Sequence, residues 1–143
     1  MNLKKKALSR QRSQALVEFA LVIPLLMLIL MGVFDLGRGI YAYNVVSSAA
    51  REGAHHGILK PTDINGIKDE ARRNTATLDP NEIAFSPLPY CSRNPNIIPV
   101  TPTACDYGNY IVVTVTYRFQ PITLFFSTLT LTGKSTMTIE CNC

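Results

Sequence analysis

The sequence predicts an α+β fold in which one long N-terminal helix runs from a membrane into water and packs on a small antiparallel sheet. Two observations predict it. A membrane-length apolar stretch continues in helical character into a polar segment, and two segments near the C-terminus alternate apolar and polar residues. A loop rich in proline and cysteine lies between the helical and strand regions and is expected to be stapled by disulfides. We divide the chain into a basic leader at 1–13, a transmembrane helix at 14–34 and an extracytoplasmic αβ domain at 35–143.

The predicted transmembrane helix contains one charge. The stretch from Ala15 to Phe34 has the length of about 20 residues, or about 30 Å, that a helix needs to cross the hydrocarbon of a bilayer. Pro24 removes one backbone donor, which membrane helices tolerate. Glu18 is the only ionisable residue in this stretch, and because hydrocarbon penalises an ionised carboxylate, its presence indicates a function.

The leader predicts the orientation of the span. It contains five basic residues and no acid: Lys4, Lys5, Lys6, Arg10 and Arg12. The positive-inside rule therefore predicts a cytoplasmic N-terminus, a single pass and an extracytoplasmic chain after Asp35. A removed secretory signal peptide is the alternative, but its apolar region spans only about 7–15 residues and ends in a small-residue cleavage site. Residues 32–39 lack that pattern, so we expect the span to be retained.

The net charge of +4 does not indicate a nucleic-acid partner. Five of the 14 basic residues lie in the first 12 positions. The rest of the chain contains nine basic and ten acidic residues, so its net charge is about −1. The basic character belongs to the leader and reports membrane topology. We therefore expect the lipid bilayer, and no nucleic acid, as a partner.

The segment 35–57 continues the helix beyond the membrane. Small residues recur along one face, which is expected to pack closely against the chain's own sheet or a neighbouring helix: Val46, Ala50, Gly53 and Gly57. Gly57 is a plausible C-cap. His55 and His56 precede it, and we expect both to be solvated.

A second, short amphipathic helix is predicted at 62–77, with Thr62 or Asp63 as its cap. Four apolar residues are expected to face inward: Ile64, Ile67, Ala71 and Leu78. Residues 82–86 form a possible first strand. The following loop, 87–109, contains five of the nine prolines and two of the four cysteines, so its order is expected to depend on disulfides.

Two strands are predicted near the C-terminus. In Tyr110–Phe119 the side chains of Ile111, Val113, Val115 and Tyr117 share one face and alternate with polar residues. Residues 120–133 are interpreted as an apolar connection. The segment 134–141 alternates again, with Met137 and Ile139 inward.

All four cysteines, Cys91, Cys105, Cys141 and Cys143, lie in the part predicted to be outside, where disulfides are the default. Cys141 and Cys143 are two residues apart at a strand end, so their side chains point to opposite faces. We expect each of them to pair with Cys91 or Cys105. A metal site shared with His55 or His56 is the alternative, although the spacing is not that of a zinc knuckle.

The sequence contains no catalytic constellation. The nucleophile elbow, the zinc-protease helix motif and the phosphate-binding glycine loop are all missing from it. Asp79, Glu82 and Asp106 could supply calcium oxygens but do not form a recognised loop. We therefore predict a protein that is not an enzyme and needs no cofactor or metal.

The N-terminal block SQALVEFALVIPLLMLILMGVFDLGRGIYAYNVVSSAAREGA resembles the signature of TadE-like proteins, the minor pilins or pseudopilins of tight-adherence (Tad/Flp) pilus systems. The segments IVVTVTYRFQPIT and LTLTGKSTMTIE resemble the family's closing strands. Residues 61–108 carry no family signal. The resemblance implies a pilin-like fold and a role as a minor or priming subunit, or an assembly factor, of a pilus or secretion machine.

The resemblance also implies a processing site. Such proteins are cut by a membrane-embedded prepilin peptidase just before a mature segment with Glu fifth and an aromatic residue sixth. That register makes Glu18 the fifth residue and Phe19 the sixth, with cleavage between Ser13 and Gln14. The family usually has Gly before the cut, where this chain has Ser13. The implied partners are the peptidase, other pilin or pseudopilin subunits and an inner-membrane assembly platform. The alternative is an uncleaved, membrane-anchored extracytoplasmic domain that binds a ligand or metal through the cysteine region.

Overall fold

The computed structural model describes the backbone of residues 3–98, 105–106, 108–123 and 127–140, with side chains from Gln14 onward. Within it the chain divides into two compact units, residues 1–37 and 38–143. The predicted α+β class is confirmed: a long helix, a small antiparallel sheet and one disulfide.

Helix α1 extends from Leu3 to Leu59 and includes Pro24 in its interior. Residues 14–31 are exposed throughout. An 18-residue window of this region has a mean hydropathy of 2.6, so the helix is long and apolar enough to cross a membrane. This fits a membrane anchor. The helix ends at Leu59, and Gly57 lies buried inside it, so the expectation of a C-cap at Gly57 is wrong.

Over the residues that the structure describes, the sheet has four strands centred on β3: β1 (Ile83–Ala84), β2 (Tyr90–Ser92), β3 (Tyr110–Phe119) and β4 (Leu129–Thr138). All pairings are antiparallel. On one side β3 pairs with the short strands β1 and β2, and on the other it pairs with β4 over ten consecutive residues, from Tyr110 opposite Thr138 to Phe119 opposite Leu129.

The core of the second unit, residues 38–143 (the C-terminal unit), lies between α1 and one face of this sheet. From the helix it takes small residues, mainly alanines, and from the sheet β-branched residues such as Ile111, Val113 and Val115. The predicted inward face of β3 is thus confirmed, as is that of Ile139. Small helix residues allow close approach: a Cβ on Gly53 would lie 3.2 Å from Val113 Cγ1. It would also lie 3.2 Å from Ala71 Cβ in the second helix, so the small-residue face packs closely against both the chain's own sheet and its own neighbouring helix.

Helix α2 (Ile64–Arg73) is shorter than the predicted 62–77. Its N-cap is Asp63, whose carboxylate accepts a hydrogen bond from the Gly66 amide at 2.9 Å. Ile67 and Ala71 are buried in the core as expected, and Leu78 packs against it. Ile64 is 40% exposed, so its predicted inward position is wrong. Ile64 is the first residue of α2 and lies one turn before Ile67, and the helix enters the core only from Ile67 onward.

Three predictions about the strands need correction. The last strand begins at Leu129 and ends at Thr138, whereas 134–141 was expected, because Leu129–Gly133 continues the pairing with β3. The predicted loop 87–109 contains strand β2, which pairs with the first three residues of β3. The possible first strand at 82–86 is reduced to the two residues of β1.

Candidate functional site

The candidate processing and assembly site lies at the start of the apolar helix. The backbone of Ser13 and Gln14 is helical, within α1. Glu18 follows Gln14 by four residues, so the two lie about one turn apart on the same helix face. Phe19, on the adjacent face, is 63% exposed.

The Glu18 side chain is also exposed, and none of the ion pairs among the described residues includes it. Its neighbours on the helix surface are Gln14, Val17 and Leu21. Within residues 14–31, all of which are exposed, Glu18 is thus the one carboxylate, and it lies beside the apolar side chains of Val17 and Leu21. An exposed carboxylate can pair with a cationic group or accept hydrogen bonds from it.

Two segments of α1, AAREGA and DLGR, contribute to packing in the C-terminal unit. In the segment AAREGA the residues Ala49, Ala50, Gly53 and Ala54 are buried, whereas Arg51 and Glu52 are exposed. Arg38, from the segment DLGR, places its guanidinium carbon 5.6 Å from the centre of the Phe119 ring at the end of β3. The buried residues of AAREGA and the Arg38 side chain therefore pack the part of α1 after Gly37 against the rest of the C-terminal unit.

Sequence reasoning missed two further contacts that attach α1. The Tyr41 hydroxyl donates a hydrogen bond to Thr77 Oγ1 at 3.1 Å, beyond the end of α2. His56 Nε2 lies 3.8 Å from Asp63 Oδ2, and this nitrogen is buried with no hydrogen-bond partner. The His56 side chain is 27% exposed, so the expectation that it is solvated holds for only part of the ring, whereas His55 is exposed as expected. No local pattern predicts either contact, because each depends on how the connection after α1 turns back.

The disulfide in the described part of the chain joins Cys91 to Cys105, with their Cα atoms 5.3 Å apart. The expectation that Cys91 and Cys105 each pair with a C-terminal cysteine is therefore wrong: strand β2 holds Cys91 near the start of β3, where Cys105 also lies. Cys105 Sγ is 3.6 Å from the Pro61 carbonyl oxygen, so the disulfide lies against the α1–α2 connection. Cys141 and Cys143 lie outside the described residues. Within those residues no three His, Cys, Asp or Glu side chains are grouped to hold a metal ion.

Comparison with known proteins gives one match. No curated protein and no solved structure matches the chain significantly. The match is to a family of pilus components rather than of enzymes, and it covers the helix that carries Glu18 and the packing motifs. Residues 14–55 match the family model of TadE-like proteins, which confirms the predicted resemblance over this helix and suggests a pilin-like protein related to Tad pilus systems.

Proposed function

We propose that this protein is a minor or priming pilin-like subunit of a Tad-type pilus or a related secretion machine. It is anchored by α1 with its N-terminus in the cytoplasm, and its αβ domain is extracytoplasmic. The observation that carries the proposal is the position of Glu18: it is the lone carboxylate in the exposed apolar stretch 14–31 of α1, it is fifth when Gln14 is counted as first, and the family match also begins at Gln14.

The proposed processing step is hydrolysis of the Ser13–Gln14 bond by a prepilin peptidase. It removes every basic residue of the leader and creates a new α-amino group on Gln14. Without five cations held in the cytoplasm, the helix is easier to withdraw from the bilayer into an assembly. The new amine lies about one helical turn from Glu18.

The proposed role of Glu18 is to set the axial position of neighbouring subunits. A carboxylate transferred into an apolar bundle without a partner is strongly disfavoured, whereas one that meets the α-amino group of an adjacent subunit is compensated. Only one stagger between the helices brings the two groups together. The competing explanation is that Glu18 extends to the cytoplasmic headgroups and has no role in assembly.

Substitution of Glu18 distinguishes these explanations. In pilus-producing cells, we expect Glu18→Ala to insert normally in the membrane but to be lost from the pilus fraction by about tenfold or more, because the helix loses its charge pair. The matched control is Glu52→Ala, which removes an exposed glutamate from the same helix. Recovery of both variants in pili at the wild-type level would contradict the assembly role.

N-terminal sequencing of the protein from its native membrane tests the processing step. We expect the sequence to begin QALVEF, which corresponds to loss of 13 residues, when the cognate peptidase is present. In a peptidase-deficient strain the chain should retain its leader. A chain that begins with the leader in pilus-producing cells would refute cleavage.

A further inference from the structure

We propose that the outer edge of β4 is a binding site for an extended strand from a different subunit of the assembly, which lengthens the sheet by one strand. The choice of partner rests on the proposed function. The site itself rests on the geometry of the edge.

The edge is long and regular. In the described part of the chain β4 pairs with β3 alone, through ten consecutive residue pairs without a bulge. Every second backbone amide and carbonyl of such a strand points away from its partner. The opposite side of the sheet differs, since β1 and β2 have only two and three residues.

The edge also lacks the features that usually prevent strand addition. Soluble proteins protect long edges with proline, bulges, or charged side chains. Strand β4 contains no proline, and Lys134 is its only charged residue. Its ammonium group donates a hydrogen bond at 2.9 Å to the carbonyl of Pro95, which follows β2 on the far side of β3. The one protective charge therefore extends across the sheet, away from the free edge.

The side chains of β4 define the chemistry of the incoming strand. On the face shared with α1, Leu129 is 57% exposed and Leu131 and Met137 are half-buried, so apolar residues of a new strand would find partly uncovered neighbours there. On the other face Thr130, Thr132 and Thr136 are exposed. The complementary strand is uncharged and alternates apolar residues with threonine, serine or other small polar residues.

A second copy of this chain is a poorer occupant. Addition of copies head to tail would place β4 of one against β1 and β2 of the next, which offer few residues and are separated by Pro87 and Pro89. Pairing of β4 with β4 is a two-fold contact, which closes after two copies and leaves no free edge for the other subunits that would surround a minor subunit in a pilus. The edge is therefore assigned to a strand of a different polypeptide.

Photo-cross-linking of the full-length chain in pilus-producing cells tests the assignment. The probe is p-benzoylphenylalanine in place of Thr132 on the edge, and the control is the same replacement of Thr62, an exposed threonine off the sheet. We expect an adduct with a different pilus subunit from position 132 and none from position 62. Thr130→Lys combined with Thr136→Lys restores edge protection and should lower the adduct yield by about tenfold.

Retention of the Cys91–Cys105 disulfide, measured by thiol alkylation, shows that the lysine variant is folded. Equal adducts from both positions, an adduct of two copies of this 15.8 kDa chain, or an undiminished yield in the folded lysine variant would each overturn the inference. Wild-type chain in the pilus fraction without an adduct at position 132 overturns the edge assignment alone. Absence of the wild-type chain from pili, together with an adduct to another membrane protein, overturns the proposed function and leaves the edge site standing.

Discussion

At the scale of single residues, Gly133 sets how closely α1 approaches β4. A Cβ at this position would lie 2.6 Å from the Val46 carbonyl oxygen and 2.9 Å from Ser47 Cα, both in the helix backbone. At Gly57 the nearest obstacle is Ile111 Cγ1 at 2.8 Å, a side-chain atom in the buried core. A methyl group at Gly57 would therefore press on a buried side chain, whereas at Gly133 it meets backbone atoms and is accommodated only if the helix moves.

Replacement of Gly133 should lower the stability of the C-terminal unit, residues 38–143. We expect Gly133→Ala to lower the free energy of unfolding by about 1–3 kcal/mol, the usual cost of overpacking a close contact. The measurement is thermal unfolding of the detergent-solubilised full-length protein, followed by circular dichroism. Gly37→Ala is the control, since a Cβ at Gly37 meets nothing within 4 Å and alanine favours the helix. A Gly133→Ala variant as stable as Gly37→Ala would show that the strand and helix can separate without loss.

At the scale of elements, the Cys91–Cys105 disulfide connects parts that secondary structure alone leaves loosely joined. It anchors the segment before β3 to β2, and its Cys105 sulfur touches the connection between α1 and α2. Strand β2 has three residue pairs with β3, too few to be stable alone. The disulfide closes a loop with a sequence separation of 14 and so restricts the unfolded chain.

Loss of this disulfide should lower the free energy of unfolding of the C-terminal unit. We expect the double variant Cys91→Ser, Cys105→Ser to lose about 2–4 kcal/mol of unfolding free energy, as loops of this length imply. Thermal unfolding with and without reductant measures the effect, and any response to reductant left in the variant reports on Cys141 and Cys143. A double variant that unfolds at the wild-type temperature would contradict a stabilising role.

The elements that the sequence predicts well are those with long, uninterrupted periodicity. The helix beyond Asp35 and strand β3 follow from the spacing of small and apolar residues, and both contribute to the core as expected. The sequence does not predict the start of β4, because Gly133 interrupts the alternation of apolar and polar residues. The structure explains this glycine, since a Cβ there would collide with the Val46 carbonyl oxygen of α1. Strand β2 and the disulfide pairing depend on contacts with β3 that are distant in sequence. The interpretation of Glu18 as the fifth residue after the proposed cleavage site rests on the resemblance to TadE-like proteins. Helical spacing alone does not distinguish an assembly residue from one that reaches the lipid headgroups.

At the scale of the whole molecule, charge is separated along the chain. The leader contains five basic residues and no acid, whereas residues 14–143 contain nine basic and ten acidic residues. The proposed cleavage after Ser13 would therefore change the net charge from +4 to about −1. In the orientation that we propose, it would also remove the cations that hold the N-terminus in the cytoplasm, so that the chain can be withdrawn from the membrane into an assembly.

We expect Ser13, the residue before the proposed cleavage site, to limit the rate of cleavage. If cleavage follows Ser13, we expect Ser13→Gly to raise the fraction of chain that loses 13 residues, because glycine removes the hydroxymethyl group next to the scissile bond and loosens the local helix. Pulse–chase labelling with the cognate peptidase, followed by intact mass, measures this fraction. Ser9→Gly changes the same residue type within the leader and should leave cleavage unchanged. Slower cleavage of Ser13→Gly than of the wild type would mean that the peptidase uses the serine hydroxyl, whereas equal acceleration by both substitutions would mean that helix flexibility in the leader controls the rate.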